Sequence, residues 1–264
     1  MLFMFFSAGV AVVFFIGSLC ALYVGQRLGG SYLKDGASGL GGLGTVEGAI
    51  FGLMGLLLAF TISGALQRFD ERRQLVLQEA SAVTTAYDRL GLFDSQIAQK
   101  LQAKLKEYVR SRVDLYRMQH DFQLWNRMEE FSQEQQRQLF QYKDDLWNSA
   151  AAVCKGDDYK PVCGLVLPAL NSMFEVARLR AGAAERHPPQ IIYGLLFGLG
   201  WGCSLLVGFG IAANGGHSRI HMVLFAATLT AALYVITDME YPRLGFIRIE
   251  DFDHFLADTL DRIR

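Results

Sequence analysis

The sequence predicts an all-α membrane protein with four transmembrane helices and a helical cytosolic region between the second and third of them. Long windows without charge lead to the first part of this prediction, and the distribution of arginine leads to the second. A helix needs roughly 20 apolar residues to cross about 30 Å of hydrocarbon. Four windows with at most one charged residue meet this need: 2–24, 43–66, 191–213 and 220–237. A soluble domain can bury one such run, whereas four indicate a bilayer.

The first window is predicted to be a retained span and not a signal peptide. Signal peptides open with positive charge, carry a shorter apolar stretch and end in a small-x-small cleavage site. No charged residue precedes Arg27, and Gly25-Gln26-Arg27 does not resemble a cleavage site.

Arginine near the spans predicts the topology. Four spans place both termini and segment 67–190 on one side, and the short connections on the other. The first side carries Arg68, Arg72, Arg73, Arg178, Arg180, Arg186, Arg243 and Arg248, whereas the second carries Arg27, Lys34 and Arg219. Because positive residues stay in the cytoplasm, we expect the termini and the large region to be cytosolic, at a bacterial inner (plasma) membrane. Cys154 and Cys163 are then expected to be reduced, although an oxidising compartment would make a disulfide plausible.

Apolar periodicity predicts the helices of the large region. The second span continues as one helix until Gly91, along a stripe that includes Ile62, Leu66, Phe69, Val76, Ala80, Val83, Tyr87 and Leu90. Asp94 is the expected N-cap of an amphipathic helix that presents Ile97, Leu101, Leu105, Val109 and Val113 on one face. Further helices are predicted over 122–152 and 164–186. Since these helices are expected to be continuous with the spans, residues 1–264 are interpreted as a single domain.

Small residues recur at helix-packing spacing in two spans. Gly194, Gly198 and Gly202 lie four apart, and so do Gly55, Ala59 and Ser63. Small-xxx-small faces let spanning helices approach closely. The motif serves packing within one chain and contact between subunits alike, and of the two, packing within one chain is favoured.

No set of residues in the sequence indicates an enzyme, a metal site or a cofactor. None of the five histidines has a partner at metal-ligand spacing in the large region, and neither Gly-x-Ser-x-Gly nor His-Glu-x-x-His occurs. The net charge is −1, and no basic patch with interleaved aromatics indicates nucleic acid.

Three stretches of the chain resemble the bacterial bestrophin-like membrane family. They are Glu47–Thr61 followed by Arg68-Phe69 and Arg72-Arg73, then Arg178-Leu179-Arg180 ahead of Pro188-Pro189, and finally Asp238-Met239-Glu240-Tyr241-Pro242-Arg243-Leu244-Gly245. The three stretches occur in this order over nearly the whole chain.

The resemblance implies a pentameric ion channel, because bestrophins are pentamers with four spans in each subunit and a pore lined by the second span. In bestrophins three residues four apart form a hydrophobic neck. Those positions fall on Gly52, Leu56 and Phe60, and Gly52 departs from the usual bulky residue, which would widen the outer neck. The implied partners are further copies of the chain, the lipid bilayer and inorganic ions.

Charged residues flank this neck. Glu47 is either an outer-vestibule charge or an interfacial anchor, because it lies near the outer end of its span. Arg68 follows the neck, and Asp238 and Glu240 either mark a polar helix end or pair with Arg68 or Arg72. Some bestrophins bind calcium through an acidic run after the last span. Here the run Glu250, Asp251 and Asp253 is short, and a solvated acidic turn is favoured because calcium wants six or more oxygens.

The leading hypothesis is therefore an oligomeric bestrophin-like ion channel. The alternative is a non-conducting membrane scaffold or sensor whose cytosolic helices bind a partner, and a membrane enzyme is the third. Ion selectivity, gating stimulus and physiological role do not follow from the sequence.

Overall fold

The computed structural model describes residues 4–34, 43–118, 128–213, 219–240 and 250–263. Within these ranges the chain forms eight helices and no strand. In chain order they are α1 (Met4–Lys34), α2 (Leu43–Leu90), α3 (Ser95–Met118), α4 (Met128–Val153), α5 (Lys160–Glu185), α6 (Gln190–Ala213), α7 (Arg219–Glu240) and α8 (Glu250–Arg262).

Four helical stretches are long and apolar enough to cross a membrane. They are Ser7–Ser31, Gly44–Leu90, Lys160–Ala212 and Arg219–Glu240, and the third of them runs through both α5 and α6. Each overlaps one of the predicted windows, so an all-helical chain with four long apolar helices is confirmed. The cytosolic position of the remaining helices stays a prediction.

The chain divides into two compact units, and α2 contributes residues to both. The first unit comprises residues 1–69 and 187–247, and the second comprises residues 70–186 and 248–264. Each has an apolar core of its own. The single-domain interpretation stays an interpretation.

In the first unit, glycine lets α1 and α6 touch backbone to backbone. A β-carbon on Gly25 would lie 2.0 Å from the carbonyl oxygen of Leu205, and one on Gly208 would lie 2.0 Å from that of Leu22. Only glycine fits at such separations, because any side chain would overlap a main-chain atom. Close approach of this kind is how helices associate where lipid removes the hydrophobic driving force.

The glycines that the sequence singles out for packing are different ones. Gly194, Gly198 and Gly202 are exposed, and no other helix in the described part of the chain comes within 4 Å of a β-carbon built on any of them. The same holds for Gly55, and Ala59 and Ser63 are exposed too. The interpretation of these two stripes as packing within one chain is therefore wrong. The reason is that α6 turns another face to α1, the one that bears Gly200 and Gly208.

The second unit has a helical core built from α2, α3, α4, α5 and α8. The predicted face of α3 is confirmed, since Leu101, Leu105, Val109 and Val113 are buried and Ile97 packs against them. Val83 and Leu90 of α2 belong to the same core. Val83 is thus covered within its own chain.

Two expectations for this unit are wrong. Glu250–Asp253 do not form a turn, because α8 begins at Glu250. The pair Cys154 and Cys163, expected as free thiols, is joined in a disulfide with the Cα atoms 5.7 Å apart. The two cysteines meet because α4 ends at Val153 and α5 begins at Lys160, so the short connection places them side by side.

Candidate functional site: the open face of α2

The part of α2 that lies in the first unit has one packed face and one open face. Met54, Thr61 and Ala65 point into the chain and are buried. Leu53, Leu56 and Phe60 point away from it and are exposed. The burial pattern follows the 3.6-residue period of a helix that is covered on one side.

The predicted neck residues all lie on the open face. Leu56 is 52% exposed and Phe60 is 68% exposed, and nothing lies within 4 Å of a β-carbon built on Gly52. The described residues of the chain therefore cover only about a third of the Phe60 side chain. Successive residues turn by about 100°, so each step of four residues drifts by about 40° around the helix. The three residues line up along an axis only if α2 is inclined to it, since i±4 rows run about 26° off the helix axis.

Small residues form one flank of the open face. Gly48, Gly52, Gly55, Ala59 and Ser63 are all exposed, and no other described helix comes within 4 Å of a β-carbon built on the three glycines. Leu56, Phe60 and Leu53 lie on the other flank. Small residues make a poor lipid-facing surface and a good surface for another helix. The open face therefore combines a contact flank with a bulky apolar flank.

Glu47 lies on a different face from the predicted neck. It is half-buried, and it occupies the same side of α2 as Met54, which is two turns further along. Its Oε1 lies 4.0 Å from the position that a β-carbon on Gly210 of α6 would take. The carboxylate thus points toward α6 and not along the stripe of Gly52.

Arg68, at the far end of this part of α2, is paired with α7. Its Nε donates to Oε1 of Glu240 at 2.8 Å, and its Nη2 donates to the same oxygen. The Glu240 side chain is fully buried, and Nδ1 of His187 lies 4.0 Å from its Oε2. The structure therefore favours pairing over a plain polar helix end for Glu240.

Asp238 and Arg72 have other partners. Asp238 is buried and accepts a hydrogen bond from the Tyr234 hydroxyl, one turn earlier on α7, at 3.3 Å. Arg72, in the second unit, donates to the main-chain oxygens of Ala183 and Arg186. The structure thus pairs Arg68 with Glu240, which is one of the two acidic residues that the sequence offered as its partners.

The sequence analysis missed a buried charged cluster in the second unit. Glu79 accepts from Nε and Nη2 of Arg112 at its Oε1, and from Nη1 of Arg180 at its Oε2. The ring of Tyr116 lies between the two guanidinium groups, 4.8 Å from that of Arg112 and 3.7 Å from that of Arg180. The signal was available, because Glu79 falls between Val76 and Val83 on the apolar side of α2, where a carboxylate is buried only with a partner.

Comparison with known families now places the chain. The family profile of the Bestrophin-like domain matches residues 11–252. The chain belongs to the bestrophin-like family. No curated protein and no solved structure matches it. Membership confirms the resemblance found in the three sequence stretches. The family suggests a channel role, and the open face of α2 carries the residues that the resemblance assigns to the neck.

The described residues form no group of three or more His, Cys, Asp or Glu that could hold a metal ion. The side chains of Glu250, Asp251 and Asp253, which are the residues of the acidic run considered for calcium, lie outside the described residues.

Proposed function

We propose that this bestrophin-like chain assembles with copies of itself, five in number, into an ion channel whose pore is lined by α2. The single observation that supports this most directly is the open face of α2. This helix is packed on one side, and on the other side Gly52, Leu56 and Phe60 form a stripe that the described residues of the chain leave largely exposed.

The two flanks of that face have separate roles in the proposal. The small residues, Gly48, Gly55 and Ala59, let the neighbouring subunit approach closely. The bulky residues Leu56 and Phe60 then face the axis. The contact is heterologous, because different surfaces of the two subunits meet, and such contacts close into a ring when the rotation allows.

The neck controls ions by being apolar and narrow. A constriction of this kind loses its water, and a permeating ion cannot keep its hydration shell there. Gly52 leaves the outer part wide, so Phe60 forms the narrowest ring. The charged residues have supporting roles: the pair of Arg68 with Glu240 fixes the end of the pore helix against α7, and Glu47 is held toward α6.

In this proposal the channel lies in a bacterial inner membrane, with both termini and residues 67–190 in the cytosol. The arginine excess on that side supports this orientation. The disulfide of Cys154 with Cys163 is the observation that weighs against it, because stable disulfides belong to oxidising compartments.

Two measurements on the purified full-length chain test the proposal. Native mass spectrometry after detergent release gives the subunit number, and ion efflux from liposomes that contain the protein gives conduction. We expect a pentamer and efflux above that of empty liposomes. A monomer would exclude the ring and the channel together, whereas a closed oligomer without efflux would favour the non-conducting scaffold.

A further inference from the structure

A cavity of about 640 Å³ opens between α3, α4 and α5 in the second unit. Its lining includes Tyr108 and Arg112 from α3, Lys143 and Trp147 from α4, and Phe174 and Arg178 from α5. Its volume is in the range of small-molecule sites, which are mostly apolar with a few placed polar groups. It shares no residue with the open face of α2.

Two buried groups that line this cavity have unused hydrogen-bond donors. Tyr108 is only 4% exposed, yet its hydroxyl has no hydrogen-bond partner among the residues that the structure describes. Arg112 is 6% exposed and uses Nε and Nη2 for Glu79, Tyr116 and the oxygen of Ala177. Its Nη1 has no partner within the described part of the chain. Both residues line the cavity, so these two donors are available to an acceptor that enters it.

Arg112 is held in a fixed position and stays charged. Burial by itself would lower its pKa, but the Glu79 carboxylate outweighs that effect, and the pKa lies above its ordinary value. Glu79 carries one negative charge and is shared with Arg180, so it does not by itself neutralise both guanidinium groups. Burial also raises the pKa of Tyr108 to about 12, which keeps its phenol protonated and able to donate.

The walls of the cavity combine aromatic rings with further positive charge. Phe174 makes edge contacts with Tyr108 at 5.3 Å and with Trp147 at 6.4 Å between ring centroids. Nζ of Lys143 lies 5.6 Å from the centre of the Phe174 ring. Three cationic side chains line the cavity against two carboxylates, those of Asp144 and Glu175, and both carboxylates are exposed.

We propose that this cavity binds a small aromatic carboxylate. The carboxylate accepts hydrogen bonds from Nη1 of Arg112 and from the hydroxyl of Tyr108, and its ring packs against Trp147 and Phe174. Arg112 can only donate and the Tyr108 hydroxyl can donate, so an acceptor such as a carboxylate fits both groups, whereas the positive charge of Arg112 repels a cation. The site is independent of the proposed channel function and would give the second unit a ligand to sense.

The test uses 4-fluorobenzoate as the probe and the full-length chain in an uncharged detergent. Fluorine NMR line broadening reports its binding, and empty micelles correct for partition into detergent. We expect saturable broadening with the carboxylate and much weaker broadening with neutral 4-fluorobenzamide. Absence of saturable broadening, or equal binding of the two probes, would overturn the proposal.

Variants locate the site. Tyr108→Phe removes only the unpartnered hydroxyl, so the melting temperature is expected to stay unchanged while binding weakens about tenfold, as for one charge-assisted hydrogen bond of about 1.4 kcal/mol. Lys143→Gln combined with Arg178→Gln is expected to weaken binding at least tenfold.

The matched control is Lys100→Gln combined with Arg110→Gln. It removes the same charge from exposed residues of α3 that do not line the cavity, and we expect binding to be retained. Equal losses in the two double variants would show nonspecific attraction and would overturn the site. Full binding by Tyr108→Phe would overturn the assigned geometry.

Discussion

Truncation of Phe60 separates a pore residue from a packing residue. A buried phenylalanine that becomes alanine costs roughly 3–5 kcal/mol, because it leaves a cavity. Phe60 is 68% exposed in its own chain, so only about a third of that cost, on the order of 1 kcal/mol, is expected for the isolated fold. In the proposed ring, the same change removes five aromatic side chains from the narrowest point of the pore.

We therefore expect Phe60→Ala to raise ion flux while the oligomer survives. A gain of at least tenfold corresponds to a barrier lowered by about 1.4 kcal/mol. Leu56→Ala should give a smaller gain, because Gly52 on its outer side already leaves that part of the neck wide. The assay is efflux of potassium and of chloride from liposomes, with subunit number measured on the same preparations.

Leu224→Ala is the matched control. Leu224 lies on α7 and is also well exposed, but it is not on α2, so its truncation should leave flux unchanged. If Phe60→Ala instead leaves flux unchanged and clearly lowers the melting temperature, Phe60 is a packing residue and the neck has been placed on the wrong face of α2.

Two further comparisons test the roles assigned to glycine and to the buried ion pair. Gly208→Val should prevent folding, because its side chain would overlap the Leu22 carbonyl oxygen. Gly55→Val should instead leave the fold intact and reduce the amount of oligomer seen by native mass spectrometry. Equal effects of the two variants on folding would refute the role of the contact flank in assembly. Glu240→Gln should lower the stability by about 1–3 kcal/mol, since it leaves the Arg68 guanidinium without its carboxylate. Glu71→Gln breaks the exposed pair with Arg186 and should cost less than about 1 kcal/mol. Thermal unfolding in detergent measures both, and equal costs would contradict the expectation that the buried pair contributes more than the exposed one.

The period of apolar residues correctly predicted the helices whose apolar face is buried within the chain. The stripe that runs to Leu90 predicted that α2 continues far past its apolar window, and the four-residue spacing from Leu101 to Val113 predicted the buried face of α3. The apolar spacing along a single helix shows which of its faces is buried, so the sequence alone is enough to predict that face.

Pairing between helices was harder to predict, because spacing along one helix does not say which partner it meets. Gly194 and Gly208 look alike in the sequence, yet of these two only Gly208 meets another helix among the described residues. The cluster of Glu79 joins residues from three helices that are far apart in sequence. The unused donors of Tyr108 and Arg112 become visible only when the cavity is formed.

Topology is the prediction on which two observations point in opposite directions. Several of the arginines that predict a cytosolic side have partners in the folded chain, such as Arg68 with Glu240 and Arg180 with Glu79. This pairing does not cancel their effect, because positive charge sets orientation as the chain inserts, and acidic residues contribute little to it. The disulfide of Cys154 with Cys163 favours the opposite side, since stable disulfides belong to oxidising compartments.

We expect insertion to decide, so that the second unit is cytosolic although the structure joins Cys154 with Cys163. The measurement introduces Gln96→Cys, an exposed position on α3, into a chain whose own cysteines are replaced by alanine. A membrane-impermeant maleimide should label it only after the cells are opened. Labelling of intact cells would invert the topology, and it would make the Cys154–Cys163 bond a permanent bridge of a domain outside the cytosol, because no reducing thiol pool would then reach it.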